Sequence, residues 1–299
     1  MSNKLAIKRI HFIISKLRAN PCSFLDLLDY LEKRSFNDEN YTISKRTFER
    51  DVNEIYEIYG IEIKYNRAEN VYEITNEPNE GKTNKIIESF QIYNALSLSD
   101  SVSKNIIIEK RKSSGTENLH GFIHAIENNL EVNFTHQKFW ETNSVKKTRT
   151  VNPLALKEAR NRWYLIGQDQ KDNKVKSFGL DRISNVEISN KKFQHPEEFN
   201  PDEKFEHAFG IITDGTLPVK IKLWFSNAQA DYIKSLPLHH SQKVVAENET
   251  ECIIELYLSP TYDFVMELLS IGKEVKVIEP ESLKKELIER LEATLKHYK

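Results

Sequence analysis

The stretch from Arg160 to Arg182 constrains the fold most, because it reads as two strands and the turn between them. From Arg162 to Gly167 the residues alternate: Arg162, Tyr164 and Ile166 share one face, and Trp163, Leu165 and Gly167 the other. Polar residues from Gln168 to Lys174 close the hairpin. On the return, Lys176, Phe178 and Leu180 share a face, while Ser177, Gly179 and Asp181 share the opposite one. Further strands are predicted near 130–136, 147–157 and 184–193. Trp163, Leu165, Leu154 and Val151 are assigned to the core of this segment.

Trp163-Tyr164-Leu165, followed at hairpin spacing by Phe178-x-Leu180-Asp181-Arg182-Ile183, resembles the signature of WYL-domain proteins. The run from Phe122 to Phe134 resembles the beginning of the same domain, where family members usually have Tyr at the Phe134 position. The resemblance implies an Sm/SH3-like five-stranded β-barrel, which five short strands in succession also suit. It further implies a basic pocket that senses a nucleotide or an oligonucleotide-like anionic ligand. Arg and Lys hold phosphate, and a Tyr face can stack a base. His136, Lys147, Arg149, Arg162, Tyr164, Lys176 and Arg182 are the ligand-binding candidates. The family commonly has Arg where Lys176 stands, and often another at Gly179, so bidentate phosphate recognition is weakened here. Arg182 follows Asp181, and a ligand contact and a structural ion pair stand as alternatives for it.

Charge is distributed unevenly along the 299 residues, although the net value is only −2. Residues 131–195 hold 13 Lys and Arg against 7 Asp and Glu, a surplus of +6, which suggests an anionic partner there. Residues 1–80 hold 12 against 14, or −2. No apolar run is long enough for a membrane helix, and the first residues lack the apolar core of a secretory signal. Cys22 and Cys252 lie far apart in apolar patterns and read as reduced core residues. A cytoplasmic protein without a membrane partner is expected.

The N-terminal segment reads as helices over Leu5–Arg18 and Phe24–Glu32, broken by Asn20-Pro21. A third helix follows Ser44 as its cap, with Phe48, Val52, Ile55, Tyr56 and Tyr59 inward, and ends at Gly60. Ile61–Tyr65 and Val71–Thr75 form a hairpin with its tip at Asn66–Asn70. Three helices and a hairpin make a winged helix-turn-helix DNA-binding domain over residues 1–80. Ile43-Ser44-x-Arg46-Thr47-x-x-Arg50-Asp51-Val52 resembles the recognition helix of regulators that carry WYL domains. In that fold the third helix enters the major groove. Lys45, Arg46, Thr47 and Arg50 are the DNA-binding candidates, with Arg67 at the wing tip, and Arg50 has pairing with Glu54 as a rival role.

A polar boundary at Glu80–Asn84 opens a helical linker, 81–125, ahead of the WYL segment at 126–200. Within it, Ile106-Ile107-Ile108 reads as a short strand with a charged exit, Glu109 to Lys112. Residues 210–299 read in the order β-α-β-β-α-β with one helix appended, a ferredoxin-like arrangement. This matches the C-terminal extension that usually follows WYL domains. The last helix, with Leu283, Leu287, Leu291 and Leu295, suits packing on its own sheet, with a dimer seam as the alternative. The fold class is therefore a multidomain α+β chain.

No phosphate-cradling loop, dinucleotide fingerprint, nucleophile elbow or His-Glu-x-x-His occurs, and the adjacent His239 and His240 do not have metal-ligand spacing. No enzyme activity and no cofactor or metal are expected. The expectation is a homodimeric, ligand-responsive transcriptional regulator that binds a double-stranded DNA operator, with repression of a defence-related operon and activation standing as alternatives. Two alternatives remain: an accessory single-stranded nucleic-acid-binding module of a defence system, and a chiefly structural interaction protein.

Overall fold

The computed structural model describes residues 3–35, 40–78, 80–96, 115–139 and 146–299. These belong to two compact units, Met1–Lys110 and Arg111–Lys299. The strand expected at Ile106–Ile108 and the charged run after it lie outside the described residues.

In the first unit, α1 (Asn3–Ala19), α2 (Phe24–Glu32) and α3 (Lys45–Tyr59) precede a hairpin of β1 (Glu62–Asn66) and β2 (Val71–Asn76), and α4 (Glu80–Leu96) follows. A capping box between Ser23 and Asp26 starts α2, and Ser44 accepts from the Thr47 amide to start α3. Gly60, at φ +69°, ends α3 in the left-handed conformation, where a Cβ would be strained. Ile10, Ile13, Ile14 and Leu17 of α1 meet Leu27, Leu31, Phe48, Ile55 and Ile63 in one core. On α3 the buried positions are Phe48, Asp51, Ile55 and Tyr59, while Tyr56, expected inward, is 61% exposed. The 3.6-residue period carries Tyr56 past the edge of the stripe and brings Asp51 into it. Asp51 is tolerated there because Arg9, equally buried, donates to both its oxygens at 2.6 and 2.9 Å.

The second unit begins with α5 (Leu119–Glu127) and continues as β3 (Leu130–Gln137), β4 (Lys146–Ala159), β5 (Arg162–Asp169), β6 (Lys174–Gly179) and β7 (Ile183–Lys192). These strands form one antiparallel sheet in the order β6-β5-β4-β3-β7. The closed five-stranded barrel expected from the sequence is not seen: among the described residues no ladder joins β6 to β7. The physical reason is the turn Leu180–Arg182, which ends the short β6 and sends the chain across to pair with β3. Phe122 and Ala125 of α5 pack on Val132, Phe134, Val151, Leu165, Phe178, Leu180 and Ile183. Trp163 is only partly buried against this cluster. Arg160 and Asn161, both at positive φ, make the two-residue turn between β4 and β5. A bulge breaks the β4–β5 register between Pro153 and Ala155, so Leu154 is an extra residue without a cross-strand partner.

After α6 (Pro201–Phe205) come β8 (Val219–Ser226), α7 (Asn227–Ser235), β9 (Lys243–Glu247), β10 (Glu251–Leu258), α8 (Tyr262–Ile271), β11 (Val275–Glu279) and α9 (Glu281–Lys296). The sheet order is β11-β8-β10-β9, all antiparallel. Ile221, Leu223, Phe225, Ile254, Leu256, Phe264 and Leu268 fill its core. On α9 Leu283 is buried, whereas Leu291 and Leu295 are about half exposed, so the helix packs on its own domain through its first turns only. No helix among the described residues is long and apolar enough to cross a membrane.

Candidate functional site

The first unit presents its cations on α3. Lys45, Arg46 and Arg50 are exposed at its N-terminal end, where the helix dipole adds partial positive charge. Thr47 is half-buried, and its hydroxyl lies 3.0 Å from that of Ser44, so it serves the cap. Arg50 stands 3.9 Å from the buried carboxylate of Asp51, and no pairing with Glu54 is seen among the described residues. Arg67 is exposed in the β1–β2 turn. The buried face of α3 and the Arg9–Asp51 pair hold this helix in place beneath its outward cations.

In the second unit, cross-strand register divides the seven ligand candidates. His136 opposes Lys147, Phe134 opposes Arg149, Val151 opposes Asp169, and Gly167 opposes Lys176, so these residues share one face. Tyr164 opposes Gly179 on one side and Lys157 on the other, which puts it on the opposite face with Arg162. Arg182 lies in the turn after β6.

Two acid-centred groups result. Asp169, 1% exposed, accepts from Arg149 at 2.8 Å and from Lys176 at 2.8 Å, and Lys176 also reaches Asp172 at 2.6 Å. Burial works against charge on both Asp169 and Lys176, yet their mutual bonds win. The Asp169 carboxyl is held below its ordinary pKa and the Lys176 amine above its own. Lys176 is thus engaged by carboxylates rather than open to a ligand. Asp181 accepts from Arg162 at 2.8 Å and stands 3.5 Å from Arg182 Nε. A Cβ at Gly179 would lie 2.6 Å from both the Arg182 guanidinium and the Asp181 carboxylate, so glycine there lets those two side chains fold over the strand. Arg182 also sits over the Phe139 ring, 5.5 Å from its centre.

His136 is the most perturbed member. It is 7% exposed, packs edge-on to Phe178 at 5.3 Å, and is driven down to a pKa of about 4 by burial, then by Arg182, Arg149 and Lys138. Burial raises the Tyr164 hydroxyl, opposed by Arg182 and Arg162. The residues that the sequence reading missed are Asp169, Asp172 and Phe139. Asp169 was detectable: alternation from Leu165 through Gly167 places it on the face of Phe178 and Lys176.

This segment matches the WYL domain over residues 117–188. The chain carries a WYL domain. Behind the WYL domain, residues 217–295 match the WCX domain, which takes in the sheet of β8–β11 and its helices. Two solved structures are similar over most of the chain. Proteasome accessory factor B/C (PafBC) of Arthrobacter aurescens is 18% identical, with 96% of this chain and 46% of that chain covered and a TM-score of 0.35. The structure titled as that of a CRISPR Cas-related protein is 11% identical, with 91% and 77% covered and a TM-score of 0.40. The chain spans about half the length of the first. No curated protein sequence matches it.

The WYL and WCX domains meet within the second unit. Arg160 of the β4–β5 turn pairs with Glu267 of α8, and Lys157 lies over the Phe205 ring at 4.7 Å. Tyr164 therefore belongs to the same sheet face as a residue of this junction, Lys157, and not to the face of His136 and Arg149. Among the described residues no group of three His, Cys, Asp or Glu side chains could hold a metal.

Proposed function

We propose that this WYL-domain protein is a ligand-responsive, DNA-binding transcriptional regulator. In this reading the first unit is a winged helix-turn-helix with α3 in the major groove, and the WYL domain is a small Sm-like sheet that takes a nucleotide-like anion. The observation that carries the DNA half is the exposed trio Lys45, Arg46 and Arg50 at the start of a helix whose other face is fixed by a core. The anion half is supported by Arg149 and Arg182, two cations that both act on the buried, neutral His136. A bound anion changes DNA affinity only through its different affinity for two states of the protein. Two copies acting on a two-fold operator would complete this arrangement.

The test is the DNA that the full chain selects from a random duplex library. Arg46→Ala and Arg50→Ala should each weaken binding to that sequence. Each lost phosphate contact should lower the salt slope by about 0.9. Unchanged affinity and slope in both variants would remove α3 from DNA binding. Tighter binding of a single-stranded than of a duplex version of the selected sequence would instead favour a single-strand-binding module.

A further inference from the structure

Most of the orphaned polar chemistry among the described residues collects in the WYL domain. His136 Nε2, Arg149 Nε, Asp181 Oδ1 and Arg182 Nε are buried without a hydrogen-bond partner, and the remaining such atom, His207 Nδ1, lies elsewhere, edge-on to Tyr257. Arg182, Arg149 and Asp181 all act electrostatically on His136, so the four atoms belong to one neighbourhood. Buried donors without acceptors are costly, roughly 1–3 kcal/mol each and more for charged groups. Neighbouring acids do not relieve the cost: Asp169 engages a terminal nitrogen of Arg149, and Arg182 Nε faces Asp181 at 3.5 Å without a hydrogen bond.

A tetrahedral oxyanion offers several acceptor oxygens to donors in one neighbourhood, and its charge would oppose the burial and the Arg182 and Arg149 charges that keep His136 neutral. The groups that face His136 are Lys147 and Arg149 from β4, Lys138 beyond the end of β3, Asp181 and Arg182 from the turn, Phe178 from β6 and Ile183 from β7. Asp181, the acid among these neighbours, is already shared between Arg162 and Arg182. We infer that this cluster takes a phosphate-type oxyanion together with one proton from solvent, which His136 receives as the anion seats. The inference rests on reading the cluster as the ligand site and adds that the site responds to pH. By reciprocity, an anion that favours the imidazolium must bind more tightly when the imidazolium is easier to form.

Isothermal calorimetry on the full chain tests this with sulfate, whose charge is constant between pH 5 and 8. A thymidine dinucleotide joined by one phosphodiester is the second probe. The sulfate association constant should rise roughly three- to tenfold per pH unit as pH falls from 7 to 5. Titrations in buffers of different ionisation heat should show up to one proton taken up. In His136→Asn the dependence of sulfate affinity on pH should disappear. The same slope with the dinucleotide assigns the anion to a nucleic-acid phosphate, and a slope with sulfate alone assigns it to a free phosphate-type ion. A pH-independent affinity, or an undiminished slope in His136→Asn, overturns proton uptake and leaves the anion site standing. Absence of binding by either probe at every pH, or binding unaffected by Arg182→Ala, removes the site and the inference together. If His136→Asn does not fold, the histidine signals of the unaltered chain decide: saturation with sulfate should raise the His136 pKa by about two and a half units or more, and an unmoved value overturns the inference.

Discussion

At Asp169 a single carboxylate neutralises two cations that a reading of residue types would give to a ligand. Asp169→Asn should cost the fold about 1–3 kcal/mol, because Arg149 and Lys176 each lose a charged partner. The same change should tighten sulfate binding, since Arg149 then faces the cluster unopposed while Asp172 still holds Lys176; denaturant unfolding and calorimetry on one preparation check the two signs. Arg9 and Asp51 form the corresponding pair of the first unit, both 0% exposed. Asp51→Ala should destabilise by about 3–5 kcal/mol, because it strands a buried guanidinium. Replacing both residues with Met and Leu should restore most of that loss in urea midpoints. Sequence patterning could not find these pairs: hydrophobic periodicity reports which positions face inward but says nothing about which polar side chain waits there. Asp51 could be given a partner only once α1 was placed beside it.

Elements were easier to read than contacts. Ser44 and Gly60, the cap and stop of α3, follow from local chemistry alone, and both act as the sequence suggests. Ser44→Ala should lower stability by about 1 kcal/mol without moving the urea midpoint of variants in the second unit. Strand pairing was less legible. Alternation located the five WYL strands, yet the absence of a β6–β7 ladder among the described residues depends on the turn at Leu180–Arg182, and its Gly179 and Asp181 mark a turn without saying which strand the chain pairs with next. Tyr164 shows the same limit: its alternation with Leu165 was plain, but which of the two faces carries the ligand chemistry required the positions of neighbouring strands. Gly167 marks the closest approach of β4 and β5, where a Cβ would stand 2.4 Å from Val151 Cγ1 and 2.8 Å from the Asn152 carbonyl. Gly167→Ala should cost about 1–3 kcal/mol through overpacking, read as a lower thermal midpoint.

Across the whole molecule, three buried histidines tie stability to pH. His11, bonded to Tyr59 at 2.6 Å, His136 and His239 are each lowered to about 4, with burial as the first cause. In the unfolded chain they titrate near 6.5, so between pH 6.5 and 4 the unfolded state binds more protons. Their contribution is complete above pH 6.5 and is lost as pH falls toward 4. Each shifted unit is worth about 1.4 kcal/mol, so at pH 5 each histidine should cost up to about 2 kcal/mol. Urea midpoints at pH 8 and pH 5 measure the sum, and His11→Gln should flatten the first unit's share. Saturating sulfate should cancel the His136 share only.

The irregular step at Leu154 sets the chemistry of everything downstream in its strand. Before it, odd-numbered residues such as Val151 and Pro153 pair on the core side; after it, even-numbered Leu156 takes that side and Lys157 leaves it for Tyr164. Were Leu154 to take a regular place in the ladder, inside and outside would be exchanged from Ala155 to Ala159 and the ammonium of Lys157 driven into the apolar interior, whereas deleting it would leave every later residue on its present face. One residue, by being supernumerary, keeps the His136 side of this sheet and its WCX-facing side from trading places.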